Sequence, residues 1–333
     1  MKHESDEQSV SEAVTSTALW FEAPGLCRMR HERLPQPGTG EVCVRTLFSG
    51  ISRGTEALVF AGKVPESEHA RMRGPNMGGS FPFPVKYGYA AVGRIETGPA
   101  DLMHRTVFCL HPHQDAFVID ADQVAVLPET LPPGRAILAA NMETALNVVW
   151  DAGILPGDKV AIFGAGVVGS LVAFIAAGIV GTETVLVDRE PGRANLAASL
   201  GLSFVAACAL EGEFDVLINA SGSSEALESA IGHAGIEARI VEASWYGDRQ
   251  ASISLGGAFH SRRLQIVSSQ VGAISATRRP RWSFARRMAK ALELLADQRL
   301  DAIISGETPF ADLEAAYPQI LSSQDTLCHR IRY

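Results

Sequence analysis

The feature that most constrains the fold of this chain is a glycine-rich turn between a strand-like and a helix-like segment. The apolar run at 159–163 enters the turn, and helical spacing of small apolar residues begins at Val167. The three glycines of the turn are Gly164, Gly166 and Gly169. A second apolar run at 184–187 follows and ends in Asp188. Strand, glycine turn, helix, strand and carboxylate in this order predict a βαβ unit that binds a dinucleotide.

Each glycine has a physical reason to stand where it does. Gly164 allows a sharp turn, and Gly166 removes a side chain where the pyrophosphate of a dinucleotide must approach the backbone. Gly169 lets the helix pack close to the strand. The amides at the helix start, those of Val167 and Val168, then face the phosphates at the positive end of the helix dipole. We therefore expect these five residues to bind the cofactor.

Asp188 indicates which dinucleotide is bound. A carboxylate at the end of the second strand accepts hydrogen bonds from the adenosine ribose hydroxyls and repels a 2′-phosphate, which favours NAD over NADP. Arg189 and Arg193 act in the opposite sense, since an arginine just past this strand can bind a 2′-phosphate. The alternative is that both arginines are solvated residues at a helix start, with Arg189 stacking on adenine. We expect NAD, with NADP the less favoured cofactor.

Composition and charge exclude several classes of protein. The chain of 333 residues is 47% hydrophobic and 20% charged, which is ordinary for a globular protein with two domains. Its net charge of −8 argues against a nucleic-acid partner, which requires a basic surface. We interpret the arginines within 278–287 as a short solvated segment that leads into a helix. The longest apolar stretch, 167–180, is too short to span a bilayer, so we expect no membrane partner.

The cysteines and the N-terminus indicate the compartment. The five cysteines are scattered singly, without a CxxC motif, which argues against a disulfide scaffold and predicts a reducing environment. Residues 1–15 are polar and acidic and lack the apolar core of a signal peptide. We interpret them as a disordered tail and expect a cytoplasmic protein.

The spacing of apolar residues changes near residue 133. Up to about residue 128, short strand-like runs alternate with Gly/Pro turns, which is typical of a compact all-β unit. Later strand-like runs alternate with helical segments, which predicts an α/β domain with a doubly wound parallel sheet. The later runs lie at 159–163, 183–187, 203–206, 215–219, 237–243 and 264–268, and the helical segments at 167–178, 190–200 and 223–232.

Four motifs carry a resemblance to a known superfamily across nearly the whole chain from about residue 17. They are Ser-Gly-Ile-Ser-Arg-Gly-Thr-Glu at 49–56, Gly-Tyr-Ala-Ala-Val-Gly-Arg-Ile at 88–95, Leu-Pro-Gly-Asp at 155–158, and the fourth strand of the parallel sheet with its turn at 215–222. Together with the β-rich unit, they resemble the medium-chain dehydrogenase/reductase superfamily of the zinc alcohol dehydrogenase type. The segment 49–56 is most similar to that of the bacteriochlorophyllide hydroxyethyl dehydrogenase-like branch.

The resemblance implies an α/β protein with two folded domains. Residues 16–138 and 279–333 would form a GroES-like, β-rich catalytic domain, and residues 139–278 a Rossmann cofactor domain. It also implies a homodimer through the edge strands of the cofactor domains, near 253–267. Arg53 matches an arginine that binds the cofactor pyrophosphate in the superfamily, and Thr144 and Ser221 are expected to contact the cofactor as well.

The chain departs from the superfamily at the residues that would bind catalytic zinc. Zinc needs three ligands of Cys, His or carboxylate type and one open position. Here Ser52 replaces the expected cysteine, and Tyr89 and Ala90 replace the expected His-Glu pair. Glu143 lies near the position of a third ligand in polyol dehydrogenases. The structural-zinc lobe with four cysteines is also missing between 101 and 110, so we predict no zinc and no other metal.

His111 and His113 are the one local histidine pair. Their spacing can suggest a metal site, but a proline separates them and no third ligand is near. We interpret the pair as part of a surface turn after the strand-like run 106–110. The alternative is a role in proton exchange at the mouth of a cleft.

Without zinc, other groups must stabilise the negative charge that develops on a carbonyl oxygen during hydride transfer. The resemblance directs Ser52 and Tyr89 into the cleft, and it places Thr55 at a hydroxyl-relay position. We predict that these three residues are catalytic, with Tyr89 as the main group; a nearby cation, Lys86 or the oxidised nicotinamide, would lower its pKa. The alternative is that Tyr89 is a packed core aromatic bonded to backbone, and we interpret Lys86 as a solvated loop residue.

The leading prediction is a zinc-independent, NAD(H)-dependent oxidoreductase that interconverts an alcohol with a ketone or aldehyde. Segment 56–83, Trp245-Tyr246 and 268–270 are expected to form the walls of the site, and their size indicates a moderately large small-molecule substrate. Two alternatives stay open: an NADPH-dependent quinone or enone reductase, and a non-catalytic NAD-binding protein whose chemistry was lost with the zinc site.

Overall fold

The computed structural model of the protein describes residues 15–333. The expected tail lies outside the described residues, except for Thr15, which begins the first strand. The strands are β1 (Thr15–Ala23), β2 (Leu26–Arg33), β3 (Glu41–Ser52), β4 (Gly78–Gly79), β5 (Val85–Lys86), β6 (Ala91–Thr97), β7 (Thr106–Cys109), β8 (Ala116–Asp120), β9 (Val124–Val126), β10 (Lys159–Phe163), β11 (Glu183–Asp188), β12 (Ser203–Ala206), β13 (Phe214–Asn219), β14 (Ala234–Glu242), β15 (Gln265–Ser268), β16 (Ile304–Pro309) and β17 (Cys328–Arg332). The α-helices are α1 (Arg53–Phe60), α2 (Pro133–Ala136), α3 (Ala139–Ala152), α4 (Val167–Ala177), α5 (Arg193–Leu200), α6 (Ser224–His233), α7 (Phe284–Leu294) and α8 (Leu313–Ser322).

The alternating part of the chain forms a six-stranded sheet. All of its strand pairs are parallel, in the order β12-β11-β10-β13-β14-β15. The order reverses between β10 and β13, and a crevice opens at the carboxyl ends of strands where this happens. The predicted α/β class and the doubly wound parallel sheet are confirmed. The largest difference among the six strands is at β14, predicted over 237–243 and observed over Ala234–Glu242.

Two further sheets come from the two ends of the chain. One has the order β16-β17-β3-β6-β7-β9, with β8 paired to β3, and the other has the order β2-β1-β5-β4. The C-terminal strand β17 runs antiparallel to β3, with Cys328 opposite Ser52 and Arg332 opposite Phe48. The last part of the chain thus returns to the β-rich unit and supports the strand that ends at Ser52.

Helix α3 joins the β-rich unit to the parallel sheet. It is buried over nearly its whole length because it packs between α4 and α7. It ends at Gly153, which has φ +67° and closes the helix in the left-handed conformation that glycine adopts without strain. Within residues 15–333, no helix has both the length and the hydropathy that crossing a bilayer requires.

Arg287 corrects the interpretation of segment 278–287 as solvated. The other arginines of the segment are exposed, but the side chain of Arg287 is only 2% exposed, because α7 turns this face toward α3. Its Nε donates to Glu143 Oε1 at 3.0 Å, one Nη to Asn147 Oδ1 at 2.8 Å, and the other Nη to the Val271 carbonyl at 2.6 Å. The segment therefore contributes a buried ion pair to the core.

Candidate active site

The three glycines of the turn differ in what surrounds them. Gly164 has φ +105°, and a Cβ there would lie 2.8 Å from the backbone of Ser221. A Cβ on Gly169 would lie 1.9 Å from the carbonyl oxygen of Gly164. Helix α4 therefore packs against the turn more closely than a side chain at residue 169 would allow. At Gly166, by contrast, no atom lies within 4 Å of an added Cβ. The backbone at Gly166 is therefore open, as the approach of a phosphate requires.

The first turn of helix α4 offers amide groups to an anion. Gly166 is the N-cap of the helix and has no side chain that could accept from those amides. The first amides of a helix have no partner inside it, and here they include those of Val167 and Val168, which both line a cleft. Free amides at the positive end of a helix dipole form an anion site.

Asp188 ends β11 and is held by backbone amides on both oxygens. Its Oδ2 accepts from the amide of Ala165 at 2.7 Å, and its Oδ1 accepts from the amide of Glu190 at 2.9 Å. Each carboxylate oxygen can accept a second hydrogen bond. The carboxylate is thus fixed beside the glycine turn and keeps the capacity to bind a pair of ribose hydroxyls.

A cleft of about 1370 Å³ connects the parallel sheet with the start of α1. Ten of the residues predicted for the site line it: Ser52, Arg53, Thr55, Gly164, Gly166, Val167, Val168, Asp188, Arg189 and Ser221. Tyr89, Thr144 and Gly169 are not among its lining residues. The hydroxyl of Thr144 donates instead to the carbonyl of Ala140 within α3, at 2.9 Å. The cleft therefore gathers most of the predicted site from segments far apart in the chain.

The predicted substrate walls are present only in part. Trp245 and Tyr246 line the cleft, and segment 56–83 contributes Ala57, Leu58, Ala61 and Lys63. Met77 and Phe81, from the same segment, are instead buried in the core of the β-rich unit. Residues 268–270 do not line the cleft, and the Ser269 hydroxyl donates to Asp151 at 2.7 Å. Segment 56–83 thus contributes fewer residues to the wall of the cleft than its length indicates.

Arg53 and Arg193 line the cleft, and neither has a carboxylate partner among the described residues. Arg53 donates to the carbonyl of Ser323 at 3.1 Å, and Arg193 donates to the carbonyl of Gln324 at 2.6 Å. Burial lowers the pKa of Arg53, and the nearby charge of Arg193 lowers it further. Two guanidinium groups held this close favour an anion between or beside them. This charge suits the pyrophosphate of a dinucleotide.

Ser52 lies at the end of β3, and its hydroxyl is bonded to a residue that the sequence did not single out. Asn141 Nδ2 donates to Ser52 Oγ at 3.1 Å, and both side chains are buried and line the cleft. Asn141 and Glu143 are two positions apart on α3, and side chains at this spacing point to different sides of a helix. Asn141 therefore contacts Ser52, while Glu143 contacts Arg287.

Tyr89 lies behind the two hydroxyls of the cleft wall. Its ring packs edge-on against Tyr87, with centroids 6.1 Å apart. Burial raises the pKa of Tyr89, and the charge of Glu56 raises it further; the hydroxyls of Ser52 and Thr55 lower it in part. Tyr89 therefore stays protonated and lies close to both cleft hydroxyls.

Lys86 is bonded to groups on the side away from Tyr89. Its Nζ donates to Glu32 Oε2 at 2.7 Å and to Gln114 Oε1 at 2.9 Å. Lys86 lies on β5, opposite Trp20 of β1, so its side chain extends over the four-stranded sheet. Lys86 is therefore a paired strand residue, which corrects its interpretation as a solvated loop residue, and it does not contribute to the pKa of Tyr89.

The donors near Ser52 do not fit a catalytic zinc ion. A serine hydroxyl that accepts from Asn141 and a protonated tyrosine are poor ligands, and Glu143 is engaged by Arg287. In the part of the chain that the structure describes, no three His, Cys, Asp or Glu residues are grouped to hold a metal. The chemistry of the donor set is therefore that of hydroxyl and amide groups.

His111 and His113 are buried, which corrects the interpretation of the pair as a surface turn. The ring of His111 stacks on Phe117 at 3.7 Å, and burial lowers its pKa to about 3. His113 is fully buried; its Nδ1 lies 2.9 Å from Ser49 Oγ and its Nε2 lies 2.9 Å from Glu56 Oε2. Both nitrogens of His113 thus have protein partners and neither is available to a metal.

Glu56 is at the centre of a buried polar network beneath the cleft wall. It accepts from the backbone amide of Ser52 at 2.7 Å, and it also bonds to His113 and to the Tyr317 hydroxyl. The hydroxyl of the C-terminal Tyr333 lies 2.9 Å from Ser49 Oγ in the same network. The Ser-x-x-x-Glu spacing at 52–56 is one residue longer than a capping box, and this signal could have predicted the bond to Ser52.

The chain is similar in sequence to known dehydrogenases and reductases. It is 24% identical over 313 residues to 2-desacetyl-2-hydroxyethyl bacteriochlorophyllide A dehydrogenase of Rhodobacter capsulatus, covering 88% of this chain and 90% of that protein. It is 27% identical over 157 residues to D-xylulose reductase A of Aspergillus niger, covering 41% of this chain and only 44% of that protein. No family model matches the chain.

The fold is shared with solved structures of dehydrogenases. A crystal structure described as a short chain alcohol dehydrogenase from E. coli CFT073 in complex with NADH has a TM-score of 0.77 at 16% identity, covering 96% of this chain and 99% of that one. The motifs of the sequence and the match over nearly the full length of the R. capsulatus protein agree with this fold. Together these findings support the resemblance to the medium-chain dehydrogenase/reductase superfamily.

Proposed function

We propose that this protein is a zinc-independent, NAD(H)-dependent oxidoreductase that interconverts an alcohol with a ketone or aldehyde. The observation that carries the proposal is the composition of the cleft. One wall has the open glycine turn and Asp188, and the other has the hydroxyls of Ser52 and Thr55. The first wall has the chemistry to bind a dinucleotide, and the second has donors for a carbonyl oxygen. The named functions of the relatives support the same class of reaction.

Residues of both walls would hold the dinucleotide. The amides of Val167 and Val168, with Arg53 and Arg193, bind the pyrophosphate, because they combine hydrogen-bond donors with positive charge. The fixed carboxylate of Asp188 accepts from the ribose hydroxyls, which favours NAD(H) over NADP(H). One structural neighbour is bound to NADH and another to NADP, which supports a nicotinamide cofactor of either kind. Once bound, the cofactor supplies or accepts a hydride at its nicotinamide ring.

The hydroxyl groups of the cleft then stabilise the charge on the carbonyl oxygen and supply its proton. During reduction of a ketone, negative charge develops on the carbonyl oxygen, and donors in a partly buried site stabilise it. Ser52 and Thr55 line the cleft and supply such donors. Tyr89, kept protonated by its raised pKa and close to both, replaces the proton that they deliver. In the oxidation direction, the proton moves the opposite way.

The proposal includes the absence of zinc from the reaction. Ser52, Tyr89 and the residues near them have the wrong donors for the metal, and Glu143 is held by Arg287. Elemental analysis of the purified, active protein tests this point, and we expect far less than one zinc per chain. About one zinc per chain, removed by a chelator together with the activity, would contradict the proposal.

We expect a moderately large substrate. Leu58 and Trp245 give the cleft apolar surface beside the hydroxyl groups, and the names of the relatives include a ketose and a bacteriochlorophyllide with a hydroxyethyl group. The homodimer and the cytoplasmic location stay predictions. The edge strand expected to pair with a second copy is β15.

A screen with a defined set of carbonyl compounds tests the activity. D-xylulose, cyclohexanone, benzaldehyde and the enone 2-cyclohexen-1-one are offered with NADH or NADPH, the decrease in cofactor absorbance is measured, and the product is identified. We expect reduction of at least one compound, faster with NADH. Saturation of an enone with NADPH alone would favour the quinone or enone reductase, and tight NADH binding without any turnover would favour the non-catalytic protein.

A further inference from the structure

Asn141 is a cleft residue beside Ser52 whose side chain has unused hydrogen-bonding capacity. Its exposed fraction is 4%, and that of Ser52 is 8%. Among residues 15–333, its amide makes one side-chain hydrogen bond, from Nδ2 to Ser52 Oγ. An amide has two N–H donors, so one donor of Asn141 is left for a ligand in the cleft.

The contact with Asn141 also decides where the hydroxyl hydrogen of Ser52 can go. A hydroxyl oxygen can accept two hydrogen bonds and donate one. Ser52 Oγ accepts from Asn141 at 3.1 Å. Among residues 15–333, the Ser52 hydroxyl makes no other hydrogen bond, so its hydrogen is left to point into the cleft that Ser52 lines. The two neighbouring side chains can then each offer one donor to a single atom.

We propose that Asn141 and Ser52 together form an oxyanion hole for the reacting carbonyl oxygen, an inference that rests on the proposed function. Their donor atoms are 3.1 Å apart, so one oxygen can lie about 3 Å from both, the distance that such a site requires. The carbonyl carbon gains a hydride from the reduced cofactor, and its π electron pair moves to the oxygen. That oxygen takes one proton from Ser52, which Tyr89 and then solvent replace.

Two features of the site favour this role over a purely structural one. Both donors are neutral, and they lie in a partly buried cleft, where hydrogen bonds to developing charge are stronger than in water. They also belong to separate elements, the end of β3 and the first turn of α3, both held in place by packing. Donors fixed in this way need little reorganisation when the charge develops.

Four variants test the inference: Asn141→Ala, Asn141→Asp, Ser52→Ala and the double variant Asn141→Ala/Ser52→Ala. For the carbonyl compound of the screen that is reduced fastest, we expect Asn141→Ala to lower kcat by about 10²- to 10³-fold with the Kd for NADH unchanged. The kinetic isotope effect with NADH deuterated at the transferred position should rise or stay at its full value. The double variant should lose less than the product of the two single losses, because the residues act as a unit.

Asn141→Asp distinguishes a donor from an acceptor at this position. A carboxylate would repel the developing negative charge, so we expect a larger loss than for Asn141→Ala. A matched control is Asn147→Ala, which removes a buried amide of the same helix outside the cleft. It should lower the melting temperature but leave the isotope effect and the rate per folded enzyme nearly unchanged.

The outcomes separate the inference from the proposed function. If the unaltered protein reduces a carbonyl compound and the kcat of Asn141→Ala stays within threefold of its kcat, the oxyanion hole is wrong and the proposed activity stands. Full activity of Asn141→Asp would also overturn it. If the unaltered protein neither binds NADH nor reduces any compound of the screen, the proposed function fails and the inference fails with it.

Discussion

A methyl group at Gly166 should weaken cofactor binding and leave folding unchanged. Gly166 has φ −82° and ψ −172°, a conformation that alanine adopts without strain, and no atom lies within 4 Å of an added Cβ. At an N-cap, alanine and glycine differ by less than about 1 kcal/mol in helix stability. We therefore expect Gly166→Ala to fold normally, with a melting temperature within a few degrees of that of the unaltered protein.

The same methyl group would occupy the space that a pyrophosphate must enter. If it displaces one hydrogen bond between a phosphate and the first amides of α4, the loss is about 1.5–3 kcal/mol, since the acceptor is charged. Each 1.4 kcal/mol is a tenfold change, so the Kd for NADH should rise roughly 10- to 150-fold. A loss of this size with unchanged folding is possible only where the added atom meets the ligand and not the protein.

Titration with NADH, followed by energy transfer from Trp245 in the cleft, measures the Kd. Gly192→Ala is the matched control, because Gly192 is also an N-cap with open space around an added Cβ but does not line the cleft. Gly169→Ala should instead damage folding, since its Cβ would lie 1.9 Å from the Gly164 carbonyl oxygen. Unchanged NADH affinity in a folded Gly166→Ala protein would refute the assignment of the glycine turn to the cofactor.

Three further predictions concern other parts of the molecule. Asp188→Ser should narrow or reverse the preference for NADH over NADPH, measured by calorimetry; tighter NADPH binding by the unaltered protein would contradict the assignment. Tyr89→Phe should lower kcat by about 10²- to 10³-fold and leave the Kd for NADH nearly unchanged, and equal rates would favour the packed-core alternative. Arg287→Met should cost about 3–5 kcal/mol of stability at pH 7, because it leaves Glu143 buried without its partner. Burial already raises the pKa of Glu143. A carboxyl group with a raised pKa destabilises the fold least below its unfolded pKa near 4.5 and more as the pH rises. The deficit of Arg287→Met should therefore shrink when the pH is lowered from 7 to 5, as measured by thermal melts. An equal deficit at both pH values would argue against an unpaired carboxylate.

Strands with charged residues on one face were the hardest to predict. Strand β2 (Leu26–Arg33) was not predicted, although it pairs with β1 over most of its length. Five of its eight residues are Arg, His or Glu, so its mean hydropathy does not mark it as a strand. It forms because β1 offers its backbone hydrogen bonds, while its charged side chains stay exposed or half-buried. The strands of the parallel sheet were easier, since burial on both faces makes them apolar throughout.

The polar partners in and beneath the site were predicted poorly for a different reason. His113 bonds to Glu56 across 57 residues of chain, Asn141 to Ser52 across 89, and Arg287 to Glu143 across 144. No periodicity or spacing reports such contacts. A buried histidine and one in a surface turn have the same local sequence, so the interpretation of His113 as exposed could be corrected only by the packing around it.

The sequence by itself determined the parts of this protein whose residues are neighbours in the chain. The glycine turn, the start of α4 and the carboxylate of Asp188 lie within one βαβ unit, and hydrogen bonds and steric limits inside that unit are enough to specify it. Which side chain stands beside Ser52 was decided only by the tertiary structure. Residues two apart on α3 point to different sides, and the packing of α3 against α4 and α7 selects Asn141 for the cleft and Glu143 for the core.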